Sequence, residues 1–281
     1  MNVFITGDTH NDLTDTKTRL KDWFNREAVE KENTTLIILG DFGGNVFTNT
    51  EYEKYNIDFK KMLESFNINY FVIRGNHDQR PSNLFNSEKW HFEQFFNGPV
   101  YVENDFPHIK YAMDYPWVYS INDKKTLVLP GGYSVDKELL LQDEKDFGIK
   151  KWFYDEQMTT AEQEYVWQLC NLNNYQFDVI LSHICPYKYL PIKVPEFIVT
   201  TDDKTMEKLF DEIDDKVTYR SWFWGHHHFE QFREENGHLN CCFLDSIDNF
   251  DALLKAESAS EYLSKNSIFN LLPWLEEDIE K

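Results

Sequence analysis

Cysteine is scarce in this 281-residue chain, and basic residues fall well short of acidic ones. Each shortage removes a class of protein. The four cysteines, Cys170, Cys185, Cys241 and Cys242, lack the paired spacing of a thiolate metal finger. Adjacent Cys241 and Cys242 would point to opposite faces of a strand, so all four are expected to be reduced thiols packed as small core residues. Lys+Arg total 28 against 49 Asp+Glu, a net charge of −21. Scaffolds for duplex nucleic acid and binders of anionic membranes need a positive footprint, which this balance opposes. No apolar stretch approaches the roughly 20 residues that span a bilayer. The opening Met1–Asp8 segment has no basic leader region and reads as a first strand, giving a cytoplasmic expectation. No repeat, low-complexity tract or Ser/Gly linker divides the chain into two domains.

Core-forming material is plentiful: 23 Phe, 15 Tyr and 8 Trp are too many for a disordered acidic chain. Short apolar runs repeatedly end in polar clusters. Val3–Thr6 leads into Gly7-Asp8-Thr9-His10, Thr35–Leu39 into Gly40-Asp41, and Tyr70–Ile73 into Arg74-Gly75-Asn76-His77-Asp78. Val179–Leu181 leads into Ser182-His183, and Trp222–Trp224 into Gly225-His226-His227-His228. Thr126–Leu129 and Cys241–Leu244 complete a set that reads as buried strands. Helical patterns cover roughly Thr16–Glu30, Tyr52–Phe66, Thr205–Ile213 and Ala252–Leu263, and Thr159-x-x-Glu162 forms a capping box for another. Strands alternating with helices predict an α/β sandwich whose site lies at the carboxyl ends of the strands.

The histidines carry the sharpest signal. Of 9, five (His10, His77, His183, His226 and His228) follow predicted strands directly. Glycine stands before the polar residue at Asp8, Asp41, Asn76 and His226, where it lets the backbone approach closely. Asp, His and Asn donors without cysteine suit borderline divalent ions. Asp8-x-His10 and His226-x-His228 each put two side chains on one side of an extended chain. Together with Asp41, Asn76 and His183 they are too many donors for one ion and about right for two.

These five blocks, in this order, resemble the calcineurin-like metallophosphoesterase superfamily, and the likeness frames residues 1–230. It implies a two-sheet β-sandwich flanked by helices that holds a dinuclear metal centre. By that pattern Asp8, His10, Asp41 and His228 hold one ion, and Asp41, Asn76, His183 and His226 the other, with Asp41 bridging. The ions would be divalent transition metals, manganese first, with iron, zinc, nickel or cobalt as alternatives. The pattern makes His77 the general acid, with Asp78 orienting it, and makes the reaction hydrolysis of a phosphate mono- or diester by a hydroxide shared between the ions. The chain departs from the pattern after Gly40-Asp41: where many members carry a second Asp, and the protein Ser/Thr phosphatases a following Arg, it has Gly44 and Asn45. Gly131-Gly132-Tyr133-Ser134-Val135-Asp136-Lys137, with Trp152–Gln157, resembles a bacterial and phage branch of the superfamily whose substrates are mostly unassigned. In that branch's loop, Tyr133, Ser134 or Lys137 could reach towards a phosphate. Arg74 reads either as a phosphate contact or as a strand-end arginine in a surface ion pair.

The expected layout is a metallophosphoesterase domain over 1–250, with an aromatic-rich insertion at about 81–174, and a helical tail packed on it over 251–281. The expected partner is a small phosphorylated molecule, because the acidic surface disfavours long polyanions while two divalent ions keep the site itself positive. Two alternatives remain: a nuclease acting on short single strands, and a non-catalytic metal-binding docking module.

Overall fold

The computed structural model describes residues 1–27, 29–47, 52–190, 203–235, 238–256 and 258–266. Within them the chain builds two mixed sheets with helices on both outer faces. The first sheet is centred on three parallel strands, β1 (Asn2–Thr6), β2 (Thr34–Ile38) and β3 (Asn69–Val72). Along its edges lie β4 (Trp90–Phe95), β5 (Gly98–Glu103), β6 (Ile109–Ala112) and β13 (Asp248–Asn249), in the order β13-β1-β2-β3-β6-β5-β4. The second contains β7 (Trp117–Ile121), β8 (Lys124–Leu129), β9 (Val179–Ser182), β10 (Ser221–Trp224), β11 (Gln231–Glu235) and β12 (His238–Cys242). Its order is β11-β12-β10-β9-β8-β7, and β8, β9, β10 and β12 run parallel.

Alternation along each strand produces the layers. Ile37 and Leu39 join Val3, Ile5, Phe71, Val128, Val179, Leu181 and Phe223 between the sheets. Leu36 and Ile38 point the other way, onto Leu20 and Trp23 of α1 (Leu13–Arg26) and Phe59 and Leu63 of α2 (Glu53–Glu64). On the far face of the second sheet, Ile180, Trp222 and Trp224 pack against α5 (Thr160–Leu172) and α6 (Thr205–Lys216). Full burial of each such side chain contributes about 1.5–3 kcal/mol. The adjacent cysteines divide as expected, Cys241 into the central layer and Cys242 into the outer one, and all four thiols are free and buried.

Some boundaries move for local reasons. Helix α1 starts three residues before the expected Thr16, because the Asp12 carboxylate accepts from the Asp15 amide and caps it. The Thr159/Glu162 capping box is formed. The single helix expected over Ala252–Leu263 is two, α7 (Phe250–Lys255) and α8 (Ala259–Asn266). Ala256 is extended, and the Ser258 hydroxyl accepts from the Glu261 amide to start the second. The interval 81–174 supplies β4–β8, α3 (Pro81–Leu84), α4 (Lys137–Phe147) and α5, so its strands are shared between both sheets. Its Trp90, Tyr101, Tyr111 and Tyr119 are buried. From residue 267 on, the expected tail lies outside the described residues.

Candidate metal centre

The parallel strands of the two sheets end at one place, and the loops leaving them carry the predicted donors. β1 delivers Asp8 and His10, β2 Asp41, β3 Asn76 and His77, β9 His183, and β10 His226 and His228. Four of these residues bend into the left-handed region: His10 at φ 48°, Asp41 at 46°, His226 at 69° and His228 at 52°. Each such turn costs about 1–3 kcal/mol in a non-glycine residue, and here they collect where side chains must be aimed. Glycines provide the close approach. A Cβ on Gly75 would collide with Asp41 Oδ1, and one on Gly225 with Asp8 Oδ1. The glycine before each of these motifs thus makes room for a carboxylate from a neighbouring strand.

The donor atoms form two groups. In one, the Asp8 carboxylate lies 3.5 Å from His10 Nε2 and 3.3 Å from His228 Nε2, and the two histidine nitrogens are 2.9 Å apart. In the other, Asp41 Oδ2 lies 3.3 Å from His183 Nε2, which is 3.2 Å from His226 Nδ1 and 2.7 Å from Asn76 Oδ1. Asp41 Oδ2 is also 3.8 Å from His10 Nε2, so it stands between the groups. Imidazole nitrogens crowded against one another and against buried carboxylates fit cations better than they fit one another. His183 is oriented from behind: Nδ1–H donates to the Leu39 carbonyl at 2.7 Å, so Nε2 is the nitrogen that faces the group.

Charge in the metal-free site is distributed accordingly. Burial works to raise the carboxyls of Asp8 and Asp41, yet the surrounding histidines hold both well below the usual range. Burial likewise opposes charge on His10 and His183, but the two carboxylates push each up to about 9. Burial and the charge of His183 hold His226 well below an ordinary imidazole.

His77 Nε2 lies 4.0 Å from Asp41 Oδ2, and its ring meets that of His10 edge-on with centroids 5.6 Å apart. Asp78 does not take the role expected for it. Its carboxylate accepts from the backbone amides of Phe42, Gly43 and Gly75, binding the loops after β2 and β3 together. Besides Asp41, the carboxylate facing the His77 ring is Asp136, with Oδ1 3.7 Å from Nε2. Asp41, which lacks the family's second Asp, is supported by the His77 amide donating to Oδ1 at 2.9 Å. At Gly44 the Phe42 ring fills the space a side chain would need, and Asn45 accepts from buried Lys60.

Two further expectations fail. Arg74 is neither a phosphate contact nor a surface residue: it is 3% exposed, and Nη1 donates to the Glu156 carbonyl at 2.6 Å. Burial lowers its guanidinium to about 10. Ser134 does not reach outward from its loop; it is fully buried beneath Asn76. Lys137 lies over the Trp152 ring, 4.4 Å from its centroid. Sequence reasoning gave no role to Asp136 or Glu156, although both lie in the paired segments Gly131–Lys137 and Trp152–Gln157.

A two-ion donor set where two sheets end defines a class, the metal-dependent hydrolases of phosphoric esters. The chain belongs to the calcineurin-like phosphoesterase family, whose sequence profile it matches over residues 1–230. Members are generally dependent on a dinuclear metal centre. No curated protein matches the chain. Among solved structures it is similar to a novel archaeal phosphodiesterase, at 17% identity over 86% of this chain and 82% of that one, with a TM-score of 0.35. It is also similar to the phosphopantetheinyl hydrolase of Mycobacterium tuberculosis, at 12% over 95% and 93%, TM-score 0.41. A third is GAP50, the anchor in the inner membrane complex of Plasmodium, at 12% over 87% and 71%, TM-score 0.41. No helix among the described residues is long and apolar enough to cross a membrane.

Proposed function

We propose that the chain hydrolyses a phosphate mono- or diester of a small molecule, using two divalent ions and His77. One observation carries this reading: seven donor side chains from five strand ends converge in two groups with Asp41 standing between them and an imidazole beside them. Asp8, His10 and His228 would hold one ion, Asn76, His183 and His226 the other, with Asp41 between them. The ions are divalent transition metals, manganese first with iron, zinc, nickel or cobalt as alternatives, because mixed oxygen and imidazole donors without thiolate suit such borderline ions. Ions held by these residues would supply a nucleophilic water at neutral pH and positive charge for the oxygens of the reacting phosphate. His77 donates a proton to the departing oxygen, a step worth about 10²–10⁴ in rate. Asp41 keeps its charge while buried and so holds positive charge in place. The acidic exterior, at a net −21, turns long polyanions away. The unit carrying this activity is residues 1–250.

Purified protein is expected to contain about two transition-metal ions per chain and to hydrolyse p-nitrophenyl phosphate or its bis-ester. Metal-free protein after growth in manganese-supplemented medium, or activity undiminished in Asp41→Ala, would overturn the reading.

A further inference from the structure

Behind the buried half of the centre, Asn76 Nδ2 donates to Ser134 Oγ at 3.0 Å. Ser134 Oγ in turn donates to Glu156 Oε2 at 2.5 Å, and the Ser134 amide donates to Glu156 Oε1 at 3.2 Å. Ser134 is 0% exposed, Asn76 1% and Glu156 3%, so water does not complete these bonds. We propose that Ser134 and Glu156 are positioning residues that fix which end of the Asn76 amide faces the metal. The inference rests on the two-ion reading above.

The argument is one of hydrogen-bond direction. An amide side chain has two nearly isosteric ends, and only its oxygen can hold a cation. A carboxylate accepts and does not donate, so Glu156 obliges the Ser134 hydroxyl to point its hydrogen towards Oε2. The Ser134 oxygen then has only lone pairs left for Asn76, and it selects the NH₂ end. The Asn76 oxygen is thereby turned to the far side, where it lies 2.7 Å from His183 Nε2 among the donor atoms. A hydroxyl alone would accept either end of the amide; the carboxylate behind it makes the choice.

The surroundings hold this relay rigid. The Glu156 carbonyl accepts from Arg74 Nη1 at 2.6 Å and from the Gly132 amide at 3.3 Å. Arg80 donates to the flanking carbonyls of Asp155 at 2.9 Å and Gln157 at 2.8 Å, and forks onto the Glu162 carboxylate. Both arginines flank the Asn76 motif, so the chain that carries the ligand also clamps the segment that orients it. Fixing a ligand from behind in this way typically governs metal affinity by 10–100-fold.

The test is calorimetric titration of metal-free protein with Mn²⁺ alone, with far-UV circular dichroism to confirm folding. In Ser134→Ala, one of two binding events is expected to weaken about 10–100-fold while the other is unchanged. The isosteric Glu156→Gln, whose amide can donate to the serine, is expected to weaken the same event. In an Asn76→Asp background both ends of residue 76 are oxygens, so Ser134→Ala is expected to change affinity by less than about threefold. Unchanged binding in both single variants overturns the inference, as does an equal loss in the Asn76→Asp background, since a merely structural role would not distinguish the two. Wild-type protein that binds fewer than two ions overturns the two-ion reading itself.

Discussion

The two halves of the centre are built differently. In the outer half, two of three donors are open to solvent: the His228 side chain is 56% exposed and that of His10 36%, with only Asp8 buried. In the inner half, Asp41, Asn76 and His183 are each 1% exposed or less, and the Leu39 carbonyl and Ser134 hold His183 and Asn76 from behind. A buried donor whose partners are already in place loses little freedom when an ion arrives, whereas an exposed imidazole must be ordered first. On the two-ion proposal, the inner half is therefore expected to be the preformed site and the outer half the exchangeable one. Asp41 joins them.

Asp41→Ala should break both halves at once. Elemental analysis is expected to show loss of both ions, and activity to fall beyond the 10²–10³-fold that loss of a single electrostatic donor costs. A variant that keeps the inner ion and most of its activity would show that Asp41 does not couple the halves. His77→Gln separates chemistry from metal holding. Both ions should remain while kcat falls by about 10²–10⁴-fold, and substrates with poor leaving groups should suffer most. If p-nitrophenyl phosphate and phenyl phosphate lose rate equally, His77 is not the proton donor. Chelation then compares the halves directly. Dialysis against EDTA should remove the ions in two phases, the first about 10–100-fold faster, and His228→Ala should abolish only the fast phase. A single phase in the wild type would make the halves equivalent.

The outer half was the more legible in the sequence. Asp8-x-His10 announces itself by i, i+2 spacing after an apolar strand. His226-x-His228, with the same spacing, is left-handed at both residues and sends His226 to the inner group and His228 to the outer. The strand-end pattern also pointed to Asp41, Asn76 and His183. The parallel cores of both sheets were legible for the same reason, since β1, β2, β3, β9 and β10 are short apolar runs closed by polar clusters. What supports the inner half was not. The segments holding Ser134 and Glu156 were marked by a resemblance, but Ser134 was read as reaching towards a phosphate and Glu156 had no role. Their contact with Asn76 spans 58 and a further 22 residues and has no local spacing. Asp78 was misread because adjacency to His77 suggested a partner for the ring, whereas the loop turns its carboxylate onto three amides. Strand β4 was also hidden, since exposed His91, Phe92 and Gln94 leave it no apolar alternation. Candidate donors sit at ends of elements and are visible in sequence; the hydrogen bonds that aim them are fixed by packing and are not.

The smallest expected effect concerns protons that occupy the centre when metal does not. Burial disfavours charge on His10 and His183, but Asp8 and Asp41 push both up to about 9 in the metal-free protein. A raised imidazole adds stability that is whole below its unfolded value of about 6.5 and is lost as pH rises through about 9. His226 and His227 run the other way: burial and the charge of His183 lower both, so their contribution is whole above about 6.5 and is lost as pH falls. Metal-free protein should thus melt highest near pH 6.5 and lose a few degrees by pH 9.5, at about 2–4 °C for each kcal/mol. Ions take the place of those protons, so manganese-loaded protein should show no such alkaline decline. Scanning calorimetry of both forms from pH 6.5 to 9.5 reads the difference, and a flat or rising metal-free midpoint would refute it. His183 should supply most of the decline, because solvent screens the half-open His10. His10→Gln should therefore leave much of the slope in place, and its disappearance in that variant would reverse the contrast between the two halves.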